Sequence, residues 1–220
     1  MRAIKNSYIN SPNDESIKKA FAYLTTLAFS AKRDNQIAYL NSHGFVVDAN
    51  LSILSLVESA KRLITTENVS LEINKIAKDS ATRAVIVYHE HHHGDNKLFG
   101  PFAGNPLLSI GNGAAFCELT RSFFAAYTEK RIQYYTGRVA ARAIGNYGKT
   151  ERFTSGLTAL SISSADRVFE TSDVTESFAA EWFNGHAKNS LPSNEEATKF
   201  LRVFFNKTLV EFLLEDDEKF

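Results

Sequence analysis

Four histidines stand within five positions, His89, His91, His92 and His93, followed at once by Gly94 and Asp95. The chain holds six histidines in all, so the cluster is not a by-product of a His-rich composition. A short apolar run, Ala84 to Tyr88, leads into them and reads as a buried strand. In an extended strand, residues two apart point to the same side. His89, His91 and His93 then share one face, and Glu90 and His92 share the other. Two imidazoles on one side reach one ion, and a carboxylate from elsewhere completes a set with an open position. Zinc held in this way lowers the pKa of a bound water towards ~7 and supplies hydroxide at neutral pH. Glu90 lies in the right neighbourhood for an outer carboxylate, although it faces away from the ligand side. The plainer alternative is a solvated histidine run at a strand end.

A second group carries a different chemistry. Arg131, Tyr135, Arg138 and Arg142 follow i, i+4, i+7, i+11 and fall on one helix face. Guanidinium groups interleaved with a tyrosine suit phosphate contact and base stacking, so DNA or RNA is the expected partner. Segment 128–152 holds Lys130, Arg131, Arg138, Arg142, Lys149 and Arg152 against Glu129 and Glu151, a local surplus of four positive charges. The alternative is a solvated face whose arginine stems cover apolar surface. Cys117 reads as a buried structural thiol, Trp182 and Phe183 as core, and His186 as a cation at a helix end.

The rest of the composition is less directive. Lysine plus arginine and aspartate plus glutamate both number 25, so net charge points to no nucleic acid, membrane or acidic substrate. Phenylalanine occurs 17 times and methionine once, so aromatic rings must do much of the core filling. A single cysteine excludes an intrachain disulfide and a multi-cysteine zinc site, and it fits a reducing compartment. The first residues lack the apolar stretch of a secretory signal, and no window approaches ~18 consecutive apolar residues. The expected location is cytoplasmic, without a membrane partner, and a homo-oligomer is allowed.

The elements that would position these groups follow from periodicity and punctuation. Ser11-Pro12 starts a helix that carries Ile17, Phe21, Leu24 and Leu27. Gln36 to Leu40 and Gly44 to Asp48 look like two strands joined by the turn Asn41-Ser42-His43-Gly44. Ser52 to Thr65 has mixed periodicity, a helix or a strand followed by a helix. Asn68 caps a further helix through Lys78, and Ala84 to Tyr88 is the third strand. Gly94 to Gly113 is a long connection with five glycines and two of the four prolines. Asn112 caps a long helix from Ala114 to about Ile144, with a bend, or a change to a second helix, near Thr128 to Lys130. Gly156 to Ser163 reads as a strand. Asp173 with Glu176 and Ser193 with Glu196 read as capping boxes. The fold expectation is α/β or α+β, with a mixed sheet and flanking helices in the first half and a helix-rich second half. Residues 1–105 form the domain that carries the histidines, and 106–220 pack on it or continue it.

The first half also resembles a known family. Val69-Ser-Leu-Glu-Ile73, followed by Ala84-Val-Ile-Val-Tyr-His89-Glu-His91-His-His-Gly94-Asp95, resembles the RadC branch of the JAMM (MPN) metalloproteins. There a helix and an apolar strand precede His-Asn-His-Pro-Ser-Gly-Asp. Gln36-Ile-Ala-Tyr-Leu-Asn41 with Gly44-Phe-Val-Val47 is similar to the family's hairpin. The resemblance covers residues 14–96 and implies zinc-dependent hydrolysis. His89 and His91 match the family's two zinc-binding histidines, and a carboxylate would be the base. The family's catalytic glutamate precedes the first hairpin strand, where this chain has no matching glutamate and Arg33 or Asp34 lies nearest, and Glu90 is the other carboxylate at hand. The family's proline is His92 here, and its later serine and aspartate fall at Phe99 and Phe102. The third ligand is therefore His93 or Asp95, or the site is degenerate. The leading expectation is a metal-dependent hydrolase or a degenerate descendant of one. The rival is a non-catalytic nucleic-acid-binding or assembly protein that uses the basic aromatic helix.

Overall fold

The computed structural model describes residues 8–67, 71–95, 105–141 and 178–217, with 152, 155, 156 and 159 besides. Among them there are helices and no strand. In chain order the α-helices are α1 (Glu15–Ser30), α2 (Gln36–Ser42), α3 (Ile53–Leu63), α4 (Leu71–Asp95), α5 (Gly113–Ala141), α6 (Phe178–His186) and α7 (Asn194–Asp217). Single 3-10 turns at Ser11–Asn13 and Pro106–Ser109 precede α1 and α5. The mixed sheet expected from the sequence is therefore replaced by an all-α architecture.

Each replaced strand has a local reason. Asn35 caps α2 by accepting from the Ala38 N–H at 2.9 Å. Gly44, with φ +83°, ends that helix. The Phe45 N–H reaches the Leu40 carbonyl at 3.1 Å and the Gly44 N–H reaches Asn41 at 3.1 Å, the paired bonds of a Schellman stop. The glycine that looked like a hairpin turn is thus a helix terminator. Residues 45–48 follow it without a strand partner.

Ala84 to Tyr88 lies inside α4. No glycine or proline interrupts the chain from Leu71 to His93, so nothing stops the helix at Lys78. The apolar positions Ala77, Ala81, Ala84, Val85 and Tyr88 are buried and recur at three- and four-residue steps. Of the expected strand Gly156 to Ser163, Gly156 and Ala159 are described, both as helix, and the remainder lies outside the described residues.

The helix starts were more legible. Asn112 caps α5 by accepting from the Ala115 N–H at 2.8 Å. That helix is continuous through Thr128 to Lys130, in place of two consecutive helices meeting there. The Ser193–Glu196 box is formed: the Glu196 carboxylate accepts from the Ser193 N–H at 2.7 Å, and Ser193 Oγ accepts from the Glu196 N–H at 3.2 Å. The cap of α1 is Asp14 in place of Ser11, accepting from the Ser16 N–H at 2.8 Å. The Asp173–Glu176 box lies outside the described residues.

α1 is the central helix, in contact with α2, α3, α4, α5 and α7, and it is buried nearly all round. Phe21 of α1 meets Phe116 of α5, Trp182 of α6 and Phe200 of α7, at ring separations of 6.0, 5.4 and 4.8 Å. One continuous core thus crosses the expected boundary at 105/106.

Candidate metal centre

The histidines stand in the last turns of α4, which packs on α5. Three sets of charged contacts fix the direction of that pairing. Asp79 accepts from Lys130 Nζ at 3.5 Å, Glu129 accepts from Arg83 Nη1 at 3.2 Å, and Glu118 meets His91 and His92. Partners on α5 fall in number as those on α4 rise, so the two helices run antiparallel. The start of α5 is thereby brought to the end of α4.

Glu118 is the residue this arrangement adds. Its two carboxylate oxygens face two neighbouring imidazoles: Oε1 lies 3.1 Å from His91 Nδ1, and Oε2 lies 2.8 Å from His92 Nε2. A carboxylate only accepts, so the proton sits on Nδ1 of His91 and on Nε2 of His92. The His92 ring also packs on the Tyr88 ring at 4.4 Å. Burial, with the Glu118 charge behind it, raises the pKa of the Tyr88 phenol. His91 is well exposed, and the tautomer that Glu118 imposes leaves its Nε2 lone pair directed away from the carboxylate.

Helical geometry regroups the residues expected to bind metal. Positions two apart, such as His89 and His91, differ by about 200° around an α-helix, so they do not share a face as they would in a strand. Positions four apart do, which sets His89 in register with His93, and His91 with Asp95. The side chains of His93 and Asp95 lie outside what is described. Among the described residues, no three histidine, cysteine or acidic side chains converge to hold a metal ion.

No family model, curated protein or solved structure matches this chain. The functional reading therefore rests on its own residues.

The expected bases stand apart from the imidazole–carboxylate group. Asp34 is exposed in the turn between α1 and α2. Glu90 is exposed and two positions from His92, so it points away from the His92–Glu118 contact.

In the basic helix, Arg131 is turned inward. It is 3% exposed, and its guanidinium carbon lies 5.6 Å from the centre of the Tyr127 ring. A side chain so placed faces the core and offers nothing to a phosphate. The Tyr135 and Arg138 side chains lie outside the described part, as does all of Arg142.

Cys117, Trp182 and Phe183 are buried, as their setting suggested. His186 Nδ1 lies 2.9 Å from the Trp182 carbonyl at the end of α6. None of the described helices is long and apolar enough to cross a membrane.

No sequence signal marked Glu118. It lies between Cys117 and Leu119 on a helix whose periodicity reads as core, and only the antiparallel pairing of α4 with α5 reveals its partners.

Proposed function

We propose that this chain binds a divalent transition metal, zinc by preference, at the C-terminal turn of α4. His91 Nε2 and Asp95 are the protein ligands, and Glu118 orients His91. One observation carries the reading: Glu118 accepts from His91 Nδ1 at 3.1 Å. A carboxylate on one imidazole nitrogen fixes the tautomer, raises the basicity of the other nitrogen and aims it outward, the usual support for a metal-binding histidine. Asp95 follows one turn later, at the spacing that lets two helical ligands meet one ion. Two protein ligands leave water in the remaining positions. The proposal is for binding alone.

Zinc titration of tag-free protein by calorimetry tests it. One equivalent should bind, His91→Ala should abolish binding, and Glu118→Gln should weaken it by roughly 10–100-fold. An absence of stoichiometric zinc in the unaltered chain, or unchanged binding by His91→Ala, would remove the proposal.

A further inference from the structure

His91 is the outermost member of a series of contacts that begins in the core. Tyr88 is 4% exposed and belongs to the hydrophobic core. His92 follows it by four residues on the same helix face, and the two rings lie 4.4 Å apart. His92 Nε2 donates to Glu118 Oε2 at 2.8 Å, and Glu118 Oε1 accepts from His91 Nδ1 at 3.1 Å. At the end of the series the His91 side chain is 66% exposed.

The two bonds to Glu118 are unequal. At 2.8 Å the His92 bond has the length of a good N–H contact to a carboxylate, and at 3.1 Å the His91 bond is near the long end. A glutamate side chain is long and rotatable, and one contact to an exposed partner does not hold it in a single arrangement. The bond that holds Glu118 is therefore the one to the imidazole whose own ring is packed. With Oε2 kept by His92, Oε1 is left facing His91, and the proton stays on His91 Nδ1. His92 commits to Glu118 the ring nitrogen that stands farther from the backbone. His91 keeps that nitrogen for an ion.

We propose that His92 is a positioning residue of the metal site: packed on Tyr88, it holds Glu118 so that Glu118 turns His91 Nε2 outward. This role rests on the metal-binding reading above and adds to it a residue that does not touch the ion.

Two replacements of His92 separate its ring from its donor. Phenylalanine keeps a ring against Tyr88 and has no N–H. Glutamine keeps an N–H near the place of Nε2 and has no ring. His92→Phe should weaken zinc binding about ten-fold in calorimetry, the lower end of what loss of an outer contact costs a metal site. His92→Gln should recover most of that loss. His92→Ala removes ring and donor together at a half-exposed position and should behave as His92→Phe does.

The ring nitrogens of His91 give a readout that a merely structural role would not move. NMR of those nitrogens in the metal-free chain, at about pH 8 where an ordinary histidine is neutral, should place the proton on Nδ1. A free histidine side chain favours the proton on Nε2. His92→Phe should return His91 to that distribution, and His92→Gln should keep the proton on Nδ1. Far-UV circular dichroism checks that each variant is folded. Unchanged or tighter zinc binding by a folded His92→Phe overturns the proposal, and so does a proton that stays on His91 Nδ1 in that variant. A chain that binds no zinc removes the metal-binding reading itself, and a His91 tautomer indifferent to His92→Phe would then remove the hold on Glu118 as well.

Discussion

Tyr23 is wholly buried in α1, and its hydroxyl donates to the Leu56 carbonyl at 2.9 Å. Burial raises the phenol pKa far above its ordinary value of about 10. The unfolded chain ionises this tyrosine near the ordinary value and the folded chain does not. Its contribution to stability is therefore complete below about pH 10 and is lost as pH rises beyond it. Buried Tyr8 shifts in the same direction, again chiefly through desolvation, and adds to the same loss. Urea unfolding at pH 8 and pH 10.5 should show stability falling between the two, and Tyr23→Phe should reduce that fall while costing about 1 kcal/mol at pH 8. An identical pH slope in the variant would show that the Tyr23 phenol ionises freely in the folded protein. At this same scale, the Glu118–His91 contact makes one imidazole nitrogen a candidate ligand, and the inward turn of Arg131 withdraws one cation from the basic face.

At the scale of elements, the chain depends on how closely its helices approach one another. α5 begins at Gly113, and a Cβ there would come within 2.5 Å of Asn184 Nδ2 and 2.9 Å of the Ala180 carbonyl oxygen, both on α6. The asparagine can rotate away; the backbone carbonyl cannot. On an isolated helix, glycine to alanine is favourable by about 1 kcal/mol. Here the sign should reverse, because the methyl must push α6 from α5. Gly113→Ala is expected to lower stability by about 1–3 kcal/mol, visible as a lower thermal midpoint. A raised midpoint would mean that the two helices part without loss. Asn112 and the Ser193–Glu196 box set where α5 and α7 begin, but it is the glycine that sets how near α5 lies to its neighbour.

For the whole molecule, one aromatic core joins the first half to the last helices. Phe200 of α7 stacks on Phe21 at 4.8 Å and on Phe178 at 4.9 Å, and lies 4.9 Å from Trp182. Removing it opens a cavity between α1, α6 and α7 together. Phe200→Ala should cost about 3–5 kcal/mol, a large share of the 5–15 kcal/mol typical of a domain. Because the core is shared, unfolding followed by calorimetry and by tryptophan fluorescence should remain one coincident transition in both proteins. Two separated transitions would instead mark two independently folding parts divided near residue 105.

Sequence alone established where several helices start and what fills the core. Asn112, Ser193 and Glu196 carry their signal locally, because a cap is made within four residues of chain. An abundance of phenylalanine requires an aromatic interior however the chain is folded. Helix or strand for Ala84 to Tyr88 and Gln36 to Leu40 was not legible in this way. Over five residues an apolar run satisfies either period, and a strand exists only if a neighbouring strand takes its hydrogen bonds. The structure offers no such neighbour among the described residues, and both runs close their hydrogen bonds within a helix. The same decision regrouped the histidines, since a period of 3.6 pairs positions that a period of two keeps apart. Glu118 belongs wholly to the tertiary level. It lies 27 residues from His91 along the chain, and the antiparallel packing of α4 and α5 brings their side chains together.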